Sequence, residues 1–158
     1  ATGSESQLLG ALDSSGGADA APPFFFHGVT SATALLLSRG RALFNRGLYF
    51  EAHDVWEEAW LVETGSTRRV LQGLIQIAAA LLKAGRSEHP GGSLRLLDAG
   101  IEKLENGDNA GSGLALETFV FSLRELRPSV VAWEEGKSKA PAFESFPKLK
   151  ECEAGQAL

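Results

Sequence analysis

The chain has 158 residues, 44% of them hydrophobic and 22% charged, with a formal net charge of −5. That length suits one domain with a modest core, and the composition is that of a soluble globular protein. Its basic residues are scattered, as in Arg39/Arg41 and Arg68/Arg69, which excludes the basic stripe a nucleic-acid binder needs. A single cysteine, Cys152, excludes an intrachain disulfide and a cysteine-built zinc site. The longest charge-free run, 70–82, is too short to span a bilayer, which takes roughly 20 residues.

The chain contains no Met and begins Ala1-Thr2-Gly3-Ser4. Two readings stand: a removed targeting peptide, which points to an organelle such as a plastid, or a trimmed end, which leaves a cytoplasmic protein. Either way a soluble intracellular protein is expected.

Residues 1–30 are expected to form an N-terminal arm, flexible or docked on a partner. Its first part is rich in Gly, Ala, Ser and Asp, a composition that does not fold alone. Pro22 and Pro23 then precede Phe24, Phe25 and Phe26, which need cover from water, either on their own domain or on a partner.

The helical signal begins at Ser31. The spacing predicts a first helix over 31–45, with Ala32, Leu35, Leu36, Leu43 and Phe44 on its apolar face. Asn45-Arg46-Gly47 reads as its stop, Gly47 being suited to a left-handed cap. A second helix over about 49–62 places Ala52, Val55, Trp56, Ala59 and Trp60 in one apolar stripe, with His53 and Glu57 on its Trp60 flank. A third, about 67–84 and capped by Ser66 or Thr67, is apolar almost all round and should be the most buried element. Gln72 and Gln76 interrupt it. Arg68 and Arg69 are expected on a solvated face, within reach of Glu58 or Glu63.

A fourth helix, about 93–104, aligns Leu94, Leu97, Ile101 and Leu104. A fifth, about 114–126, aligns Leu116, Phe119, Val120 and Leu123 and is limited by Pro128, with a short further turn over 129–133. The tail 134–158 is polar and irregular, with Phe143 and Phe146 as isolated anchors between Pro141 and Pro147. No alternating strand pattern occurs. The expected fold is all-α: a single-domain bundle of about five helices over 31–133, with irregular N- and C-terminal arms.

The unusual residues concentrate in one pattern, Phe44-Asn45-x-Gly47-x-Tyr49-x-x-Ala52-His53-Asp54-x-x-Glu57-x-x-Trp60, followed by Leu71-Gln72-Gly73-Leu74-Ile75-Gln76. These two motifs resemble the bacterial, archaeal and plant family known as domain of unknown function 309, over roughly 36–104. The family pattern has Glu where this chain has Asp54, and commonly Leu in place of Trp56. The resemblance implies a compact helical fold with His53, Glu57, Trp60, Gln72 and Gln76 gathered on facing helices. It implies no activity, and neither arm belongs to the pattern.

Asn45, Tyr49, His53, Glu57, Trp60, Gln72 and Gln76 are the candidate binding residues, and His53 with Glu57 the only candidates for catalysis. General-base work by His53 needs a pocket and a substrate. A metal site needs a third and fourth ligand, and the pattern of two His flanking a Glu is absent, so no metal or cofactor is expected. The reading preferred here is a structural network, with His53 and Glu57 hydrogen-bonding Gln72, Gln76 or the turn at 45–47. No nucleophile elbow and no phosphate loop occur. Gly47 to Ala52 with the following helix is similar to half of a tetratricopeptide unit, with a fainter echo from Gly91, but at the wrong period for a solenoid.

The expected function is a helical interaction module without established activity, an accessory or scaffolding subunit of a larger assembly. It would bind protein partners through Phe24, Phe25, Phe26, Phe143 and Phe146, with no nucleic acid and no transmembrane segment. The alternative is an enzyme or small-ligand or metal-binding protein using a His/Glu/Gln pocket between the second and third helices.

Overall fold

The computed structural model describes residues 29–87, 90–106 and 112–153. Phe24, Phe25, Phe26, His27 and His89 lie outside the described residues. Within them the chain forms five α-helices: α1 (Ser31–Asn45), α2 (Tyr49–Val62), α3 (Gly65–Arg86), α4 (Ser93–Glu105) and α5 (Leu116–Glu134). A 3₁₀ turn, Phe143–Ser145, follows. No strand occurs among the described residues, only a single antiparallel bridge between Leu114 and Glu151. The fold is all-α, as the periodicity indicates. No helix of the described residues is long and apolar enough to cross a membrane.

Consecutive helices pack against one another in chain order. The stop after α1 is a Schellman turn: the N–H of Gly47 bonds Phe44 O and that of Leu48 bonds Leu43 O, with Gly47 at φ 79°. The chain therefore reverses within three residues. Helix α2 returns along α1, with Phe44 edge-on to Tyr49 at 5.0 Å and the Trp56 indole donating to Leu37 O at 3.4 Å. At the far end of this pair the Glu63 carboxylate accepts from the Thr33 hydroxyl.

The buried face of α1 is Thr33, Leu37, Gly40 and Phe44, with Leu36 and Leu43 packed at its edge, whereas Ala32 and Leu35 of the expected apolar face turn to solvent, Leu35 at 73% exposed. The reason is Gly40. A Cβ there would lie 2.1 Å from Trp56 Nε1, so the glycine makes the seat for the indole and fixes which side of α1 faces α2. Leu35, Leu36 and Leu37 are consecutive, and their apolarity alone cannot choose among them.

Helix α3 is the central element, with Val70, Leu71, Leu74, Ile77, Ala78, Ala80, Leu81 and Ala84 buried. It starts at Gly65, a turn earlier than the Ser66 or Thr67 cap predicts, and Thr64 makes no side-chain capping bond. Its contact with α4 is close because glycines face each other. A Cβ on Gly100 would meet Ile77 Cδ1 at 2.6 Å and Gly73 O at 2.9 Å.

Helix α5 continues through Pro128 to Glu134. Pro128 is exposed, while Val130 and Trp133 beyond it are buried. Burial of those two side chains outweighs the backbone bond that proline forfeits, roughly 3 kcal/mol in a helix interior. Cross-links to α4 set its register: Arg127 forks onto Asp98 at 2.7 and 2.8 Å, and Glu134 accepts from the Leu94 N–H at 3.0 Å. The hydrogen bond from Arg127 holds the Asp98 carboxyl below its usual range.

The tail is not a free arm over its described length. Phe146 is 4% exposed and Leu149 is fully buried, both in the same core as the helices. Residues 140–153 form a strap across the ends of α1, α2, α3 and α5.

Candidate functional site

The candidate residues divide into two groups along α2. The first surrounds the turn from α1 to α2. Asn45 closes α1, so its side chain projects beyond the helix end, and there its amide meets one residue of the strap twice. Asn45 Nδ2 donates to Leu149 O, and Asn45 Oδ1 accepts from the Leu149 N–H, both at 2.8 Å. The same strap sends the Lys148 ammonium to Asn45 O at 2.7 Å, at the C-terminal end of α1 where a cation is favoured.

Gly47 supplies space as well as a positive φ. A Cβ there would lie 2.2 Å from the Phe143 ring. Tyr49, 4% exposed, forms the wall of the cleft, with the Phe143 and Phe146 rings 6.2 and 6.0 Å from its own. Burial pushes the Tyr49 phenol up to about 12. Phe146 also reaches the last turn of α3, where Gly85 leaves it room. Further along, the strap pairs with the segment before α5: Ala115 N donates to Lys150 O at 2.9 Å and Cys152 N to Gly113 O at 2.8 Å.

Phe143 and Phe146, expected to anchor another chain, therefore dock on their own bundle. Phe146 is wholly occupied there, whereas Phe143 is 47% exposed. Sequence reasoning identified both the anchors and the motif, but not that one receives the other. It missed Leu149 altogether, whose only local signal is its spacing of three residues after Phe146.

The second group is the ridge at His53. The imidazole lies between two carboxylates of its own helix, Nδ1 at 3.5 Å from Asp54 and Nε2 at 3.6 Å from Glu57. Asp54 shares the cluster. Both acid side chains are half exposed and His53 is 28% exposed, so this is an open ridge rather than a pocket.

The expected network with α3 does not form. Gln76 Oε1, His53 Nδ1 and Trp60 Nε1 are buried atoms without a hydrogen bond. Arg68 stacks its guanidinium on Trp60 at 4.0 Å, rather than pairing with Glu58 or Glu63, and Arg69 reaches Glu102 at 3.6 Å. With Trp60 opposite Arg68, the antiparallel hairpin sets position 53 about level with 76, so the two motifs do face each other.

Ligand atoms of His53, Asp54 and Glu57 all lie within 4.8 Å of one another, a spacing compatible with a cation. All three come from one helix face. Among the described residues, a surface groove of about 450 Å³ runs between α4 and α5 past Leu104, Leu116, Val120 and Phe121. Smaller grooves lie along the strap, two beside α5 and one beside α1.

Fold and site together define a small all-α domain built on antiparallel helix pairs, whose first turn is a cleft filled by an extended segment. The segment 37–96, which carries that turn and both motifs, matches the model of the family described as domain of unknown function (DUF309). This is the family that the two motifs resemble, and the match covers residues 37–96. No curated protein matches the chain.

Proposed function

We propose that the protein is a helical interaction module, an accessory or scaffolding subunit of a larger assembly, whose cleft at Asn45, Gly47 and Tyr49 holds extended polypeptide. The observation that carries this reading is the paired bonding of the Asn45 amide to both main-chain groups of Leu149. A side-chain amide used this way reads backbone, and the aromatic wall beside it reads side chains. Extended peptides are commonly recognised by those two elements together.

The test is the native state of the protein in its source. Purified without denaturant, it is expected to elute in a complex with other chains, with cross-links to them at or beside the cleft. A monomer that turns over a substrate, with turnover abolished by His53→Gln, would reverse the assignment.

One observation favours a second reading, a cation or small-ligand site. It is the convergence of His53, Asp54 and Glu57 within 4.8 Å. Calorimetric titration with zinc or manganese decides it. Saturable binding lost in Glu57→Gln supports the site, and heats no larger than dilution retire it.

A further inference from the structure

The cleft and its occupant belong to different parts of the chain. Asn45, Gly47 and Tyr49 fall within the matched segment 37–96, whereas the strap begins more than forty residues after it ends. What joins them is α5, closed by a Schellman turn at Gly136 (φ 72°, Lys137 N to Ala132 O at 2.8 Å), and an exposed hinge, residues 138–139. The last buried anchors of α5, Val130 and Trp133, lie before that hinge. Lifting the strap therefore requires no helix to unwind.

The contacts also separate by type. Two bonds to Leu149 go to its main chain and are indifferent to residue type. The side-chain positions are selective and recur every third residue: Phe143 over Gly47, Phe146 against Tyr49, and Leu149 in the core. Pro147 holds the intervening chain extended, and Lys148 answers the carbonyl end of α1.

From this we infer that the cleft accepts, in trans, a segment of a partner protein with the pattern Phe-x-x-Phe-Pro-Lys-Leu, and that the strap is the resident competitor such a segment displaces. The inference rests on the proposed reading of the cleft as a peptide site and adds the partner's chemistry and the gate. A tethered strap acts at an effective concentration of order millimolar. A free segment of equal intrinsic affinity is therefore held off until it is presented at high local concentration, as within an assembly.

The experiment uses the full chain with a protease site inserted between Ser138 and Lys139, and a fluorescein-labelled peptide with the sequence of residues 140–153. Anisotropy is expected to show the peptide binding the cut protein, and the uncut protein on the order of 10²-fold more weakly. An unrelated host peptide carrying only the five specified residues of the pattern should bind likewise, and one with Asp in place of the Leu should not. If the cut protein stays folded by circular dichroism and takes up no peptide, the cleft reading itself fails. If the cut protein binds but the uncut one does not at millimolar peptide, the strap is a permanent closure: the gate is overturned while the cleft reading stands. Should cutting unfold the bundle, refolding on addition of the peptide supports the inference, and failure to refold overturns it. Concentration-dependent dimers of the uncut chain, broken by the peptide, would assign the cleft to a second copy's strap and overturn the choice of a different partner.

Discussion

The two halves of the candidate surface treat their polar atoms in opposite ways. At the strap end both functional atoms of the Asn45 amide are bonded, by a residue 104 positions away. At the ridge, His53 Nδ1, Gln76 Oε1 and Trp60 Nε1 are buried without a hydrogen bond. A helix can offer its own i+1 and i+4 residues as partners, but at 3.5 and 3.6 Å the Asp54 and Glu57 carboxylates stand beside the imidazole without completing a hydrogen bond. Satisfying an inward polar group takes a different segment of chain. The strap end has one; among the described residues the ridge has none.

That contrast can be broken at either end. The largest effect is expected from Phe146→Ala. Truncating a fully packed Phe costs about 3–5 kcal/mol, read as a lower urea midpoint at unchanged slope. A loss below about 1 kcal/mol would mean that the strap contributes little to the core. Asn45→Ala removes two hydrogen bonds and leaves the buried Leu149 main chain without its side-chain partner. A cost of about 1–3 kcal/mol is expected by the same measurement.

The chain's only tyrosine makes the strap visible by ultraviolet titration. Tyr49 should ionise at about 12 while covered, and closer to the ordinary value of about 10 in Phe146→Ala. Because the folded value is raised, the neutral phenol favours folding. That stabilisation is complete below about pH 10 and is lost as pH rises towards 12. An unchanged titration in Phe146→Ala would show that helices alone bury the phenol. The smallest effects belong to the ridge: His53→Gln and Glu57→Gln should each change stability by less than about 0.5 kcal/mol. A loss of 2 kcal/mol or more in thermal unfolding would make the ridge a structural brace after all.

Much of this molecule was legible without coordinates. The number and order of helices follow from apolar spacing, the stop at Asn45-Arg46-Gly47 from the need for a positive φ, and the seam through Ala52, Trp56 and Ala59 from one helix period. The motif behind the family match over residues 37–96 was readable in the same stretch. Each of these depends on interactions within a few residues along the chain, which is why local pattern suffices.

What tertiary structure decided are the matters in which distant residues meet. The glycine at 40 became the seat of Trp56 and set the rotation of α1 so that Leu37 rather than Leu35 is buried, and buried side chains beyond Pro128 carried α5 past a residue that locally ends helices. Above all, the Phe143, Phe146 and Leu149 series was joined to Asn45 and Tyr49. Pattern within the tail marks those side chains as apolar anchors. Their receptor lies about a hundred residues earlier, and only the packing of α1, α2 and α3 creates it.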